Sequence, residues 1–288
     1  MAHWIIEPGF WSNAPVRTAL VVGLLVAISS AVVGVVVVVR AQSFAGHALS
    51  DVATAGGAGA AVVGAPTIAG FMIGGVAGAG AMESVGVSRL RGRDLSTGIV
   101  LGAATGAAAL FFYLAATRGT SASTTQQVLF GSIFTVPSSS VPWTAGVSAT
   151  IVIVIGVALR PLMLLTVSDQ LAAVRGVRIK VTNAVFMTTM AVAVALASVV
   201  VGSILSTALL VGPPAIALRL TRTLRSGFVV ASLVGAGATW LGILIAYDSY
   251  DWSGTGRALP VSFCIVAVIV VTFCVVSFLT RRRSRGTS

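Results

Sequence analysis

Charged, sulfur-bearing and imidazole side chains are scarce in this sequence. Seven Asp and Glu, two Cys and two His are spread over 288 residues, and charged residues of both signs make up only 9%. Lysine occurs once, at Lys180, so nearly all the positive charge is arginine. A soluble domain of this length carries far more charge than this, which excludes the soluble classes. Cys264 and Cys274 lie in the last apolar run. Ten residues of helix would set them about 15 Å apart along the axis, too far for a disulfide, so both read as packed thiols. Catalytic signatures are missing too. There is no GxxxxGK[ST] phosphate loop, no HExxH, no GxSxG, and no histidine besides His3 and His47. The chain is therefore not expected to cradle or hydrolyse ATP, and no residue is expected to be catalytic.

What is present is apolar. Hydrophobic residues make up 57% of the chain, and the mean hydropathy is +1.03. Repeated uncharged runs of 18 or more residues mean a polytopic helical membrane protein; barrel strands would alternate polar and apolar residues, and these runs do not. The expected fold is all-α, a polytopic transmembrane helical bundle of eight or nine spans forming a single transmembrane domain over residues 1–288. The apolar segments fall at 16–40, 47–63, 66–83, 94–117, 141–159, 181–201, 204–218, 228–247 and 258–279. Two uncharged runs, 52–82 and 181–218, exceed the roughly 20 residues one span needs. We divide the first around Gly64 and Pro66 and the second near Gly202-Ser203; if either is one broken helix, eight spans remain. The opening MAHWIIEPGFWSNAP has no basic n-region, so it is not read as a cleaved signal peptide. Trp4, Phe10 and Trp11 beside Pro8 and Gly9 suggest an interfacial segment before the first span.

The net charge is +11, but the basic residues are dispersed at segment ends, which disfavours a nucleic-acid partner. They follow the positive-inside rule instead. With the segments alternating, Arg40, residues 88–93, 160–180 and 219–225, and the closing RRRSR all fall on one side, taken as cytoplasmic. Arg17, Arg118 and Arg257 fall on the other. The expected location is the plasma (inner) membrane, multi-pass among its lipids, with the C-terminus in the cytoplasm.

Ser168–Val177, SDQLAAVRGV, is the most polar internal stretch. Ser168 suits an N-cap, Asp169 the positive end of a first turn, Arg175 a last turn, and Gly176 the C′ position. This predicts a short capped helix in water between two spans, a docking element for a separate soluble subunit. Gly70, Gly74 and Gly78, and likewise Gly102 and Gly106, have spacing that permits close helix contact, within one chain or between two copies. Glu83 and Asp94 read as helix-end residues. Asp248 and Asp251 read as solvated acids of an outer turn over 248–257, or as contacts for a binding protein. Pro213-Pro214 either shapes a pore or marks a break between short helices.

In this order and at these intervals, several segments resemble the permease subunits of zinc/manganese-type ABC importers. They are Gly34–Arg40, GHALSDVATAGGAG (Gly46–Gly59), LFGSIF (Leu129–Phe134), DQLAAVRGV with Asp169, Ala172 and Gly176, LLVGPPAIALRL (Leu209–Leu220), and DSYDWSGTG before the last span. The resemblance covers about Phe10 to Phe278. It implies a homodimeric pore, two cytoplasmic ABC ATPase subunits, and an extracytoplasmic substrate-binding lipoprotein that delivers metal. It also implies that residues 167–177 are a cytoplasmic coupling helix, with Ser168, Asp169, Gln170, Ala172, Arg175 and Gly176 facing or shaping the ATPase contact. No permanently bound cofactor is implied; zinc or manganese would be the cargo.

One departure stands out. The family usually shows an Asp and then a His four residues later in the second span, whereas this chain shows His47 and then Asp51. Positions i and i+4 share a helix face, so an imidazole and a carboxylate still converge, and both suit Zn²⁺ or Mn²⁺. Two ligands make a poor site, but a two-fold axis would bring two pairs together. The structural alternative is a satisfied interfacial histidine and a capped or snorkelled carboxylate. The functional alternatives are a permease of the same fold moving another cargo, such as a metal chelate or haem, and a secondary transporter. Against the last stands the lack of an inverted repeat carrying matched charges.

Overall fold

A computed structural model describes residues 10–85, 93–117, 127–131, 133–252 and 259–285. Among these there is no strand; the architecture is all-helical. In order, the helices are α1 (Ala14–Val39), α2 (Ser43–Val62), α3 (Thr67–Val85), α4 (Arg93–Thr117), α5 (Val141–Val167), α6 (Asp169–Val174), α7 (Ile179–Val201), α8 (Ser203–Leu220), α9 (Leu224–Trp252) and α10 (Val261–Arg285). Two single 3-10 turns, Ile133–Thr135 and Ser138–Ser140, lead into α5. Seven of these segments are long and apolar enough to cross a membrane by length and composition: α1, α4, α5 with the turn before it, α7, α8, α9 and α10. The remaining two long helices, α2 and α3, are rich in Gly and Ala. Trp4, Pro8 and Gly9, most of the 88–93 loop, and Arg118 and Arg257 lie outside the described residues, as do the side chains of Asp94, Asp251 and the closing arginines.

The interior is built on α1 and α7. Along their most apolar stretches 67% and 72% of residues are buried, against 17% for α4 and 22% for α5 and α10. α1 packs on α5, α7, α8 and α9, while α2 packs on α3 and α4. Apart from serines, α1 beyond Thr18 and α7 beyond Thr189 are apolar all round, as a helix surrounded by other helices must be,.

The close approaches are made by glycine. A Cβ at Gly56 would lie 2.4 Å from the Gly70 carbonyl oxygen, and one at Gly70 would lie 2.4 Å from the Gly56 oxygen. So α2 and α3 meet backbone to backbone, and Gly70, Gly74 and Gly78 serve packing within one chain. Gly102 and Gly106 of α4 differ, since a Cβ at either meets nothing within 4 Å. The chain reverses between α2 and α3 at Gly64, whose φ of +72° favours glycine,.

Two backbone crossings explain other glycines. Gly131 (φ +75°) and Gly202 (φ +95°) are pressed together: a Cβ at Gly131 would sit 2.3 Å from the Val201 carbonyl carbon. Ser262 at the start of α10 has two carbonyls within reach of its one hydroxyl hydrogen, that of Val201 at 2.8 Å and that of Phe130. In α8, Pro213 and Pro214 lie inside the helix. Proline has no N–H, so the carbonyls of Leu209 and Leu210 lose their helical donors. Gly34 of α1 packs directly on that Leu210 carbonyl.

Two local features differ from the sequence expectation. α5 runs through Arg160-Pro161 to Val167. The proline costs one helical bond, but Leu162 and Leu165 beyond it are buried, and that packing carries the helix on. Asp248 is not in a solvated turn: α9 continues to Trp252, and Asp248 is buried. Phe10, read from the sequence only as part of an aromatic flank, is buried in the protein, with its ring edge-on to Tyr247 at 5.3 Å.

Candidate functional site

α2 carries the only described histidine, His47, and one of the chain's few acids, Asp51, one turn apart on one face,. They do not pair with each other; each is engaged by a different neighbouring helix. His47 Nδ1 lies 3.1 Å from the Thr207 hydroxyl of α8. The Thr105 hydroxyl of α4 donates to Asp51 Oδ2 at 2.9 Å, and also lies 2.8 Å from the Leu101 carbonyl of its own helix. His47 is exposed in the single chain and Asp51 is half-buried. A carboxylate at mid-span costs about 2.5–3.5 kcal/mol on insertion scales, so such groups face polar partners or a water-filled path.

A polar seam continues from the pair along α2 and α8. Ser50 Oγ lies 2.7 Å from Ser206 Oγ, and both hydroxyls reach the Ser203 carbonyl, at 3.2 and 2.8 Å. Ser50 and Ser206 are fully buried. Thr105, Thr207, Ser50, Ser203 and Ser206 are the site residues that sequence reasoning passed over. The one sequence signal was the close spacing of Ser203, Ser206 and Thr207 at the start of an apolar segment. Chemically, the pair offers an imidazole nitrogen and a carboxylate oxygen. Among the described residues no group of three or more His, Cys, Asp or Glu converges, so what they bring together here is one imidazole and one carboxylate.

The second candidate region is α6. The Leu171 amide donates to Ser168 Oγ at 3.3 Å, which is the N-cap bond, and Asp169 opens the first turn. The end is closed at Gly176 (φ +76°), with the Gly176 amide on the Ala173 carbonyl and the Val177 amide on Ala172. Ala172 is fully buried against the bundle, whereas Asp169, Gln170 and Arg175 are exposed. Three apolar side chains also stand out from the protein here: Val174 is 87% exposed, Val167 77% and Leu171 42%. α6 packs on α5 and α7. Beside the start of α7, Arg40 at the end of α1 donates to Asn183 Oδ1 at 2.8 Å, and its guanidinium stacks over Phe186 at 5.1 Å.

An all-helical bundle with seven apolar helices of spanning length is the architecture of an integral membrane protein. The chain belongs to the ABC 3 transport family, whose family model matches residues 13–280. It is similar to the manganese import system permease protein ScaB of Streptococcus parasanguinis, with 26% identity over 272 residues, 94% of this chain and 92% of that one. It is also similar to the manganese transport system membrane protein MntC of Halalkalibacterium halodurans, with 28% identity over 240 residues, 82% of this chain and 81% of that one. Its fold matches a chain of the solved structure of PsaBC from Streptococcus pneumoniae in complex with Fab. There the TM-score is 0.78 at 24% identity, covering 93% of this chain and 92% of that one.

Proposed function

We propose that this chain is the membrane permease subunit of an ABC importer for a divalent transition metal ion, manganese or zinc, driven by a separate cytoplasmic ATPase. One observation carries the proposal. A chain matching manganese permeases over nearly its whole length holds an imidazole and a carboxylate on one face of α2, each braced by another helix. Nitrogen and oxygen donors of this kind suit both ions. Two copies related by a two-fold axis would bring two His47/Asp51 pairs together and complete four ligands. The open glycine face of α4 around Gly102 and Gly106 suits close approach of a second copy,. An extracytoplasmic binding lipoprotein would deliver the ion, and no resident cofactor is needed.

In this account nine helices span the membrane. α2 and α3, with 20 and 19 residues, are about 30 Å long, enough for the hydrocarbon core. Alternation then places the N-terminus outside, the C-terminus in the cytoplasm, and α6 on the cytoplasmic face. There α6 is the coupling helix. Val167, Leu171 and Val174 give it an apolar docking surface, Asp169, Gln170 and Arg175 a polar rim, and the Ser168 and Gly176 caps a fixed shape. ATP-driven closure of the motor would push on α6. α7, which packs on α6 and is tied to α1 through Arg40, would carry that displacement into the interior.

The test is uptake of radioactive manganese by cells lacking their own importers and supplied with this chain, its ATPase and its binding protein. Uptake should require all three and should be lost on Asp51→Asn at unchanged membrane abundance. Uptake that is equal with and without this chain would overturn the proposal.

A further inference from the structure

We infer that Thr105 and Thr207 are positioning residues that orient Asp51 and His47 toward the transported ion. The inference rests on the proposal that this pair contacts the cargo.

A threonine in a membrane helix ordinarily turns its hydroxyl back to the carbonyl four residues earlier. Thr144, Thr150, Thr189, Thr239 and Thr272 all do so here. Thr207 does not. Its i−4 acceptor would be the Ser203 carbonyl, and that oxygen already has the Ser206 hydroxyl at 2.8 Å and the Ser50 hydroxyl at 3.2 Å. The Thr207 hydroxyl lies instead beside His47 Nδ1, at 3.1 Å, where its oxygen can accept the ring N–H,. When this hydroxyl accepts the Nδ1 hydrogen, the imidazole is fixed in the tautomer whose Nε2 lone pair is free for a metal. Thr105 has one hydrogen and two acceptors in reach, its own helix at Leu101 and Asp51 Oδ2. Bonded to Oδ2, it holds the carboxylate with Oδ1 as the remaining donor oxygen.

The two threonines come from α4 and α8 and meet the pair on α2 from two sides. The orientation of both donors is therefore set by the arrangement of three helices, not by α2 alone. Outer partners of this kind usually change metal affinity roughly 10–100-fold when removed.

The experiment is Mn²⁺ binding to the permease assembled with its ATPase in lipid nanodiscs, read by loss of the free Mn²⁺ electron paramagnetic resonance signal. Thr105→Val and Thr207→Val keep the side-chain shape and remove only the hydroxyl. Each should weaken Mn²⁺ binding roughly 10–100-fold at an unchanged melting temperature, and Thr105→Ser and Thr207→Ser should bind like the parent. Asp51→Asn serves as the reference for the pair itself. If Asp51→Asn loses binding while both valine variants bind like the parent, the positioning role is overturned and the pair stands. The positioning role is also overturned if the serine variants fail as badly as the valine ones, because shape rather than the hydroxyl would then matter. If Asp51→Asn binds Mn²⁺ normally, the cargo assignment of the pair falls, and this inference with it.

Discussion

Gly34→Ala adds one methyl group at the tightest glycine contact among the described residues. A Cβ there would lie 1.8 Å from the Leu210 carbonyl oxygen, 2.7 Å from Pro214 Cγ and 2.9 Å from the Leu210 carbonyl carbon. An ordinary contact is roughly 3.5 Å, so α1 and α8 must separate by well over 1 Å. Neither side can yield cheaply: one is helix backbone, the other backbone and a proline ring. α1 also packs on four other helices. Overpacking ordinarily costs about 1–3 kcal/mol, occasionally more, and two rigid partners place this case at the upper end. About 3 kcal/mol is more than a hundredfold in the folding equilibrium, and scales to a fall of roughly 6–12 °C in melting temperature. The assay is thermal unfolding of the purified chain in detergent, with Gly237→Ala as control. A Cβ at Gly237 meets nothing within 4 Å, so that change should be neutral or stabilise by roughly 0.5–1 kcal/mol. If Gly34→Ala melts with the parent, the α1–α8 crossing is not as close as described.

Three further predictions concern other sites. Gly131→Ala and Gly202→Ala each put a Cβ within 2.5 Å of the opposing backbone at a positive φ, so both should abolish the monodisperse peak in size-exclusion chromatography; a normal profile for either would refute the crossing. Ser168→Ala should cost about 1 kcal/mol of local stability, seen as faster amide exchange at Leu171 with little change in global melting; unchanged exchange would deny the cap. Replacing Asp169 and Arg175 together by alanine should uncouple uptake from ATP hydrolysis and leave folding intact, and unchanged ATPase capture and uptake would remove α6 from the coupling path.

The helical class was legible in the sequence because it follows from what membrane depth forbids: charge, alternation and unpaired backbone. The local geometry of SDQLAAVRGV was legible too, since the Ser168 bond to the Leu171 amide and the positive φ of Gly176 depend only on residues within the stretch. Tertiary contacts were not. Nothing local signals that helix α5 survives Pro161, because the buried Leu162 and Leu165 that hold it act through distant neighbours. At the site, i and i+4 spacing placed His47 and Asp51 on one face. Their partners lie 160 and 54 residues away in sequence. Nothing near Thr105 or Thr207 in the sequence marks either as a partner of the pair, and the Ser203 carbonyl beside Thr207 is met by Ser50 and Ser206 only in three dimensions. The LFGSIF stretch was visible as a motif, but its purpose, to let Gly131 lie against Gly202, exists only in three dimensions.

The most direct test of the central claim is ATP-driven Mn²⁺ accumulation in proteoliposomes holding this chain and its ATPase, with the metal-loaded binding protein added. Accumulation should require ATP and this chain, and should vanish in the assembled His47→Ala and Asp51→Asn variants. Accumulation by either variant at the parental rate, or none by the parent with an active ATPase, would contradict the account.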